Sequence, residues 1–510
     1  MGDNRTTASE TVATTSAAVF DVRTYGASGD AATLQTVAIQ RAIDAAGGAG
    51  GGIVHFPAGS YSSGSLHLQS NVKLGLDPGA RLIAARLPDG AEYGPAEPNP
   101  AAGEFQDFGH CHWHTALIWG ENLQNVSIEG KGLIDGTPAL VRGSGPAEAR
   151  GDKALALKRC RNVWIRDIMI LHGGHFGILA TGVEGLSIDN VTIDTNRDGI
   201  DLDCCRHATI TNCRINAPGD DGICLKTSFA LGAICPTEDI TIKGCQLSGF
   251  DEGTLLDGTR KHDDAARRHH AVRTSRIKIG TESIGDFRRI EISDCSFEYT
   301  RGLAIETVDG GTVEDVTVRG LTMKHTTDSP IFVRLGSRLR TPDAARGAGA
   351  LRRILLSDVT VEDADARLPS IISGIPGHDI EGLTVQRVRI NCRGGWKRQP
   401  GAAPSGEPAE SDAAYPDPGM FGELPAYGFY VRHARHLALG DIELKFGRTD
   451  LRPGIVLQHV SDATFEKISV SHAGGVPAWS MKDVRDLTVQ SCPGIPDSHL
   501  DRAGETTPGP

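Results

Sequence analysis

The sequence predicts an all-β chain wound into a single right-handed parallel β-helix with an N-terminal capping helix. Short strands with alternating apolar residues recur along its 510 residues, and they end at Asn, Asp or Gly. Glycine is abundant at 63 residues, whereas aromatic residues make up only 5%. The stretch 197–203 returns in similar form at 220–226, a spacing of roughly one β-helix coil. Self-similarity at a fixed period indicates stacked repeats.

The first predicted elements are a strand and turn over 20–30 and then one amphipathic helix. Thr33 is its expected N-cap, and Gly47–Gly48 its expected end. The apolar residues at helical spacing are Leu34, Val37, Ala38, Ala42, Ile43 and Ala46. One helix ahead of many strands predicts a plug over the open end of the β-helix, where a sheet edge is otherwise bare.

Regular strand units follow, each an alternating strand, a turn and another strand. They lie at 125–128, 162–170, 186–193, 208–215, 239–247, 289–297, 313–323, 352–361, 380–390, 437–445 and 462–470. Their spacing is too short and irregular for β-propeller blades of about 40–50 residues. We therefore expect one β-helix domain over 20–497, a disordered tail over 1–19 and a C-terminal tail over 498–510.

Two insertions interrupt these units. Residues 258–275 are rich in Arg, Lys and His, which fits either a clamp for a polyanionic substrate or a solvated loop. Residues 393–426 are rich in Gly, Pro and acidic residues and read as a long surface loop.

Composition excludes some classes of function. A formal net charge of -12 argues against a general nucleic-acid binder. No apolar run reaches the roughly 18–20 residues that span a membrane. Residues 1–19 lack the charged and apolar regions of a signal peptide, which leaves open whether a signal has been removed or the protein is not exported.

The chain has 11 cysteines, so at least one is unpaired in a monomer. Cys213, Cys245 and Cys295 follow similar strand patterns, which predicts small apolar side chains stacked between coils. The adjacent Cys204–Cys205 is a weaker candidate for a redox pair. No CxxC metal-binding pair occurs.

Superposing the near-repeat places Asp198 beside Asp221 in the next coil, with Asp220 adjacent. Strands stacked about 4.7–4.9 Å apart bring such carboxylates close together, which raises the pKa of one of them. The segments 176–180, 198–202, 221–225, 275–279 and 301–305 continue the same register. The alternative interpretation is that aspartates cap turns, and it stays open for Asp201 and Asp203.

Carboxylates beside cationic groups on a concave wall suit glycoside hydrolysis. One protonated carboxyl group donates to the leaving oxygen, and another activates a water molecule. Asp198 and Asp221 are placed to hold that water, and Asp220 points to a different side as the acid. Lys226 and Lys278 are expected to bind a substrate carboxylate.

The segment GHCHWH holds His110, His112 and His114. On a strand, all three would face one side, as a zinc site requires. The plainer interpretation is a polar patch near the cleft entrance, and we predict no metal or cofactor.

The chain resembles glycoside hydrolase family 28, the polygalacturonases of the pectin lyase-like superfamily, over most of 20–490. The opening YGASGD, AIQRAID and GGIVHFPAGSY is similar to that of the superfamily. The Asn-Thr-Asp motif of the family is matched by 196–198, and its Asp-Asp motif by 220–221. The resemblance implies an inverting hydrolase of pectic oligo- or polysaccharides, with Asp220 as acid and Asp198 and Asp221 as water activators. It also implies a secreted or periplasmic location.

The sequence departs from the family in two places. The Gly-His-Gly motif falls on 274–276, without its histidine, and the Arg-Ile-Lys motif falls on 304–306, where Glu306 is acidic. These departures argue against a standard endo-polygalacturonase: either Arg276 and Lys278 take over binding of the substrate carboxylate, or the sugar at that subsite is neutral. The long insertions favour exo action or a branched substrate. The predicted substrate-binding residues are His175, Arg197, Lys226, Arg276, Lys278 and Glu306. A polysaccharide lyase and a non-catalytic glycan-binding β-helix remain alternatives, and the oligomeric state stays open.

Overall fold

The computed structural model describes residues 17–86, 93, 97–99, 104–143, 151–262, 273–396 and 407–503. Within them the chain forms a right-handed parallel β-helix, which confirms the predicted fold. The described part holds no helix long and apolar enough to cross a membrane. Most of the predicted tails, and residues 263–272 of the basic insertion, lie outside these ranges.

The strands stack on three faces. The first face contains β1 (Val19–Asp21), β2 (Gly52–Phe56), β5 (Val72–Leu76), β8 (Gln124–Gly130), β11 (Arg161–Arg166), β14 (Glu184–Asp189), β17 (Arg206–Thr211), β20 (Thr237–Lys243), β23 (Phe287–Ser293), β26 (Thr312–Lys324), β28 (Ala350–Ala364) and β30 (Ile380–Gly394). The second contains β3 (Gly59–Ser63), β6 (Ala80–Ala84), β9 (Leu133–Asp135), β12 (Met169–Leu171), β15 (Thr192–Asp194), β18 (Arg214–Asn216), β21 (Gln246–Ser248) and β24 (Ser296–Glu298).

The third face, called the site face below, carries the acidic repeat. It contains β4 (Leu66–His67), β7 (Ala116–Glu121), β10 (Lys153–Lys158), β13 (Phe176–Thr181), β16 (Asp198–Asp203), β19 (Ile223–Thr227), β22 (Ile277–Ser283), β25 (Leu303–Thr307), β27 (Ile331–Leu335) and β29 (Ser370–Ser373). The last coils are formed by longer strands that pass from one face to the next, β31 (Phe429–Arg448), β32 (Ile455–Val470) and β33 (Trp479–Gln490). Short 3-10 helices occupy Val22–Tyr25, Phe108–Cys111, Ala344–Arg346 and Pro418–Phe421.

Asparagines form a ladder at one corner of the early coils. Asn71, Asn125 and Asn162 adopt left-handed backbone conformations with φ of 63°, 56° and 53°, which asparagine tolerates better than most residues. The Asn125 side-chain amide donates to Asn71 Oδ1 at 2.8 Å, and the Asn162 amide donates to Asn125 Oδ1 at 3.2 Å. The ladder turns the chain and ties neighbouring coils together.

The helix α1 (Thr36–Gly48) covers the first coil, as predicted. Its buried residues include Ile39 and Ile43. The N-cap is Gln35 rather than Thr33, so the expected cap is wrong by two residues. Leu34 is 54% exposed, because it precedes the helix and does not face the coil.

The C-terminal end differs from the expected tail. β34 (Ser498–Ala503) pairs antiparallel with β33, so the strand series extends beyond residue 497. The reversal covers the edge that the last coil would otherwise leave unpaired.

The predicted cysteine stack is present. Cys213, Cys245 and Cys295 are buried, and their thiols interact in sequence along consecutive coils. Cys204 and Cys205 point apart, since the Cys205 thiol faces the core beside the Ala180 carbonyl. Both are free thiols in the structure and do not pair with each other.

A substitution at Gly199 tests how closely the two coils that carry the acids pack against each other. A Cβ at this position would lie 2.5 Å from the Gly222 carbonyl oxygen and 2.6 Å from Ile215 Cγ2. We expect Gly199→Ala to lower the free energy of unfolding by about 1–3 kcal/mol, as overpacked sites do. Denaturant unfolding measures the change, and Gly48→Ala, where a Cβ meets no atom within 4 Å, is the control. Equal stability of the two variants would contradict this packing.

Candidate active site

The predicted register of the acidic coils is confirmed. Asp198 pairs with Phe176 on β13, and Ile200 pairs with Ile223, which places Asp198 beside Asp221. The Asp221 amide donates to Asp198 Oδ1 and to Asp220 Oδ1, both at 3.1 Å. Carboxylate oxygens of Asp198 and Asp221 lie within 4.8 Å of one another. The structure thus brings the three acids together at the start of β16 and β19.

Asp221 is held as an anion. Arg276 Nε donates to its Oδ1 at 2.6 Å, and Lys278 Nζ lies 3.3 Å from its Oδ2. Burial alone would raise the pKa of Asp221, but these two cations outweigh burial and hold it well below its usual range. Both cations come from β22 and the residue before it, one coil further along.

The pKa of Asp198, by contrast, is raised. Its side chain is only 4% exposed, and burial is the largest reason why its pKa is raised well above the usual value. Repulsion from Asp220 and Asp201 adds to this effect, whereas Arg197 at 3.4 Å and Lys226 at 3.9 Å reduce it. Two neighbouring carboxyl groups with pKa values displaced in opposite directions are typical of acid–base sites.

Asp220 is the most accessible of the three acids. Its side chain is 31% exposed, compared with 4% for Asp221. Arg197 Nε lies 3.4 Å from Asp220 Oδ2. Asp220 is therefore the carboxyl group of the three that a bound molecule can reach most easily.

Arg197 links the acids to an insertion ahead of β7. Its guanidinium contacts Asp198 and Asp220 and bonds to Asp107 Oδ2 at 3.1 Å. His175 supports Asp107 through Nε2 at 2.9 Å, and its Nδ1 bonds to the Arg142 carbonyl. Burial and the Arg197 charge lower the pKa of His175 to about 4. Both nitrogens of His175 are occupied by protein partners, so its predicted contact with substrate requires displacing one of them.

Lys226 lies in a buried charge network below Asp198. Lys226 Nζ is 3.0 Å from Asp201 Oδ2 and 3.6 Å from Glu282 Oε2. Asp203 accepts from the Ser228 amide at 2.8 Å and from the Ser228 hydroxyl at 2.6 Å. Asp201 and Asp203 belong to strand β16 and are fully buried. Asp201 pairs with Lys226 and caps no turn, whereas Asp203 binds the segment that follows β19.

His110 completes this network, and sequence analysis did not place it there. Residues Phe108–Cys111 form a 3-10 helix rather than part of a strand, so the three histidines diverge. His110 is fully buried, with Nε2 3.0 Å from Lys226 Nζ, whereas His114 pairs with Glu97 and Glu121 at 3.4 and 3.2 Å. The expected common face is wrong.

The second insertion is packed against the site face. The Thr281 hydroxyl donates to the Tyr415 phenolic oxygen at 3.1 Å, and Lys278 Nζ donates to the same oxygen at 3.3 Å. Asp417 pairs with Arg301 at 2.7 Å. Residues 407–426 of the expected surface loop thus form a wall beside β22 and β25, whereas Arg393 and Gly394 belong to β30. No spacing rule marks Tyr415 or Asp107, because both reach the site from insertions.

Comparisons with known proteins agree with this architecture. The family model described as a right handed beta helix region matches residues 147–262. A probable polygalacturonase from Vitis vinifera is 26% identical over 396 residues, which cover 74% of this chain and 75% of that protein. A mannuronan C5-epimerase from Azotobacter vinelandii is 30% identical over 211 residues, covering 36% of this chain and 11% of that protein.

Solved structures show the same fold. A family 28 exopolygalacturonase from Yersinia enterocolitica has a TM-score of 0.59 at 18% identity, covering 93% of this chain and 79% of that one. The predicted resemblance to the polygalacturonases and the β-helix fold are confirmed.

The opposite pKa displacements predict opposite effects of two matched substitutions on stability. A carboxyl group whose pKa is raised on folding loses stability as pH rises from its unfolded pKa, near 4, to its folded pKa. Asp198→Asn removes that loss, so its Tm at pH 8 should equal or exceed the wild-type Tm. Asp221→Asn should lower Tm at pH 8, since its depressed pKa contributes stability above about pH 4 and loses it as pH falls further. Thermal melts at pH 5 and pH 8 measure both, and a lower Tm for Asp198→Asn at pH 8 would contradict the raised pKa.

Proposed function

Because the chain is a distant homologue of the polygalacturonases and shares their parallel β-helix, we propose that it is an inverting glycoside hydrolase of pectin-type glycans. The observation that carries the proposal is the three-acid cluster, in which Arg276 and Lys278 lower the pKa of Asp221 while burial raises the pKa of its neighbour Asp198. Water activation needs an ionised base and a second group to orient the water, and glycoside cleavage needs an accessible acid.

In the proposed mechanism Asp220 is the general acid. It is the accessible carboxyl group, so it can reach the glycosidic oxygen and donate its proton as the bond to the anomeric carbon breaks. A water molecule between Asp198 and Asp221 attacks that carbon from the opposite side. Asp198 and Asp221 hold this water in place, and Asp221 accepts its proton. The anomeric configuration is inverted because the attack is a single displacement.

The described insertions favour action at chain ends. Asp107 and His110 bring one insertion against Arg197 and Lys226. Arg340 then ties that insertion to a later coil, through bonds to the carbonyls of Glu104 at 2.8 Å and Gln106 at 2.7 Å. The wall at 407–426 lies on the other side of Asp221. We propose that these segments close the cleft to long chains and give exo action.

A lyase on the same fold is the second candidate. Asp198, Asp221 and Cys224 offer ligand atoms within 4.8 Å of one another, a cluster that suits a metal ion. Arg276 and Lys278, however, already neutralise Asp221, and their positive charge repels a divalent cation. A lyase would lose activity in EDTA and release an unsaturated product that absorbs ultraviolet light, whereas the proposed hydrolase would do neither.

Substitution of Asp220 tests the acid assignment. We expect Asp220→Asn to lower kcat/KM on pectic oligosaccharides by at least about 100-fold, in line with the loss of a general acid. The same variant should lose much less on an aryl glycoside, whose leaving group needs little protonation. Chromatography of products and NMR of the first-formed anomer measure rate and inversion.

Asp462→Asn, an exposed aspartate on β32, is the control and should retain wild-type activity. Full activity of Asp220→Asn on oligosaccharides would overturn the assignment. Equal glycan binding by wild type and variant with no hydrolysis by either would favour the non-catalytic β-helix.

A further inference from the structure

The cations nearest Asp221 are already neutralised by the protein. Arg276 Nη1 lies 3.9 Å from Glu306 Oε1, and Lys278 Nζ lies 3.8 Å from Glu306 Oε2. Both cations also contact Asp221, so two cationic side chains and two carboxyl groups form one cluster, in which burial raises the pKa of Glu306. The side chain of each member is at most 4% exposed. A sugar carboxylate placed here would meet no free cation, and it would lie beside two buried carboxyl groups.

Tyr415 offers this part of the cleft an apolar surface instead. Its hydroxyl group is fixed by Thr281 and Lys278, yet the residue remains 55% exposed. Exposed aromatic rings held in one orientation suit the C–H face of a sugar, because the ring is apolar and loses little freedom on binding. The positive charge of Lys278 is 5.5 Å from the ring centroid, which also helps to hold the ring in place.

The opposite side of the acids has an unpaired cation. Arg142 is exposed, and its Nη1 lies 3.2 Å from where a Cβ on Gly219 would be. Gly219 directly precedes Asp220. Among the described residues, the Arg142 guanidinium has no ion-pair or hydrogen-bond partner; only its backbone carbonyl is engaged, by His175. A free guanidinium is the group best suited to a carboxylate.

From this asymmetry we infer that the cleft binds a uronate residue at Arg142 and a neutral sugar ring at Tyr415, and that it cleaves the bond between them. The inference rests on the proposed function and names its substrate class: a pectin-type chain in which acidic and neutral sugars are joined. Uniformly anionic chains would place a carboxylate against Glu306 and Asp221.

Three oligosaccharides of equal length test the substrate class. They are an alternating uronate–neutral sugar chain, a de-esterified homogalacturonan and its fully methyl-esterified form. We expect kcat/KM on the alternating chain to exceed both others by at least about 10-fold. Equal or faster hydrolysis of de-esterified homogalacturonan would overturn the inference but leave the proposed function standing. If Asp220→Asn hydrolyses every chain as fast as wild type, the proposed function itself fails.

Variants of Arg142 and of Tyr415 separate the contribution of the uronate contact to kcat/KM from that of the neutral-sugar contact. Arg142→Ala should lower kcat/KM on the alternating chain about 10-fold or more and leave the methyl-esterified chain unchanged. Tyr415→Ala should lower kcat/KM on both chains, whereas Tyr415→Phe should retain most activity. Arg161→Ala and Trp164→Ala, which alter exposed residues of β11 on another face, are matched controls.

The affinity for each chain can be measured independently of its hydrolysis. Calorimetry with Asp220→Asn should show tighter binding of the alternating chain than of de-esterified homogalacturonan. Adding Arg142→Ala should weaken the binding of both chains, because both present a uronate to Arg142. Unchanged affinity after Arg142→Ala, with an unchanged Tm, would overturn the role of Arg142.

Discussion

Parallel hydrogen bonding between consecutive coils is the constraint on which the site depends. In a β-helix each residue lies beside its counterpart one coil later, about 4.8 Å away. Asp198 and Asp221 are therefore close because the strands that carry Ile200 and Ile223 must pair in register. A one-residue slip would turn the apolar residues outward and separate the acids at the same time. Core packing and the geometry of the acids are thus set by the same interaction.

The stacked carboxylates impose an electrostatic cost, and the structure offsets it coil by coil. Cations from the following coil surround Asp221, while Arg197 and Lys226 partly compensate Asp198. This compensation is incomplete at Asp198, whose pKa stays raised. Sites that strain electrostatics in this way exchange stability for function. The compensation also removes Arg276 and Lys278 from the cations that a substrate can reach.

The insertions shape the surface around the acids, which would otherwise be an open face of the β-helix. Segments around Asp107 and Tyr415 lie on opposite sides of the acids and are held by ion pairs and hydrogen bonds rather than by the coil register. A deep apolar cluster anchors the second wall, with Phe421 and Leu424 packed against Phe332. Such a wall can change the accepted substrate while the acids stay in place, because the coils beneath it do not depend on it.

The sequence by itself determined the β-helix, the capping helix and the neighbourhood of Asp198, Asp220 and Asp221. These features follow from periodicity and register, which are local patterns repeated along the chain. Only the tertiary structure decided that His110 is buried against Lys226, that Arg276 and Lys278 are shared between Asp221 and Glu306, and that Tyr415 covers this cluster. These contacts join residues that are often more than 100 positions apart, through insertions whose paths no repeat constrains. Their pKa consequences depend on burial and on distances between charges, which exist only once the coils are stacked.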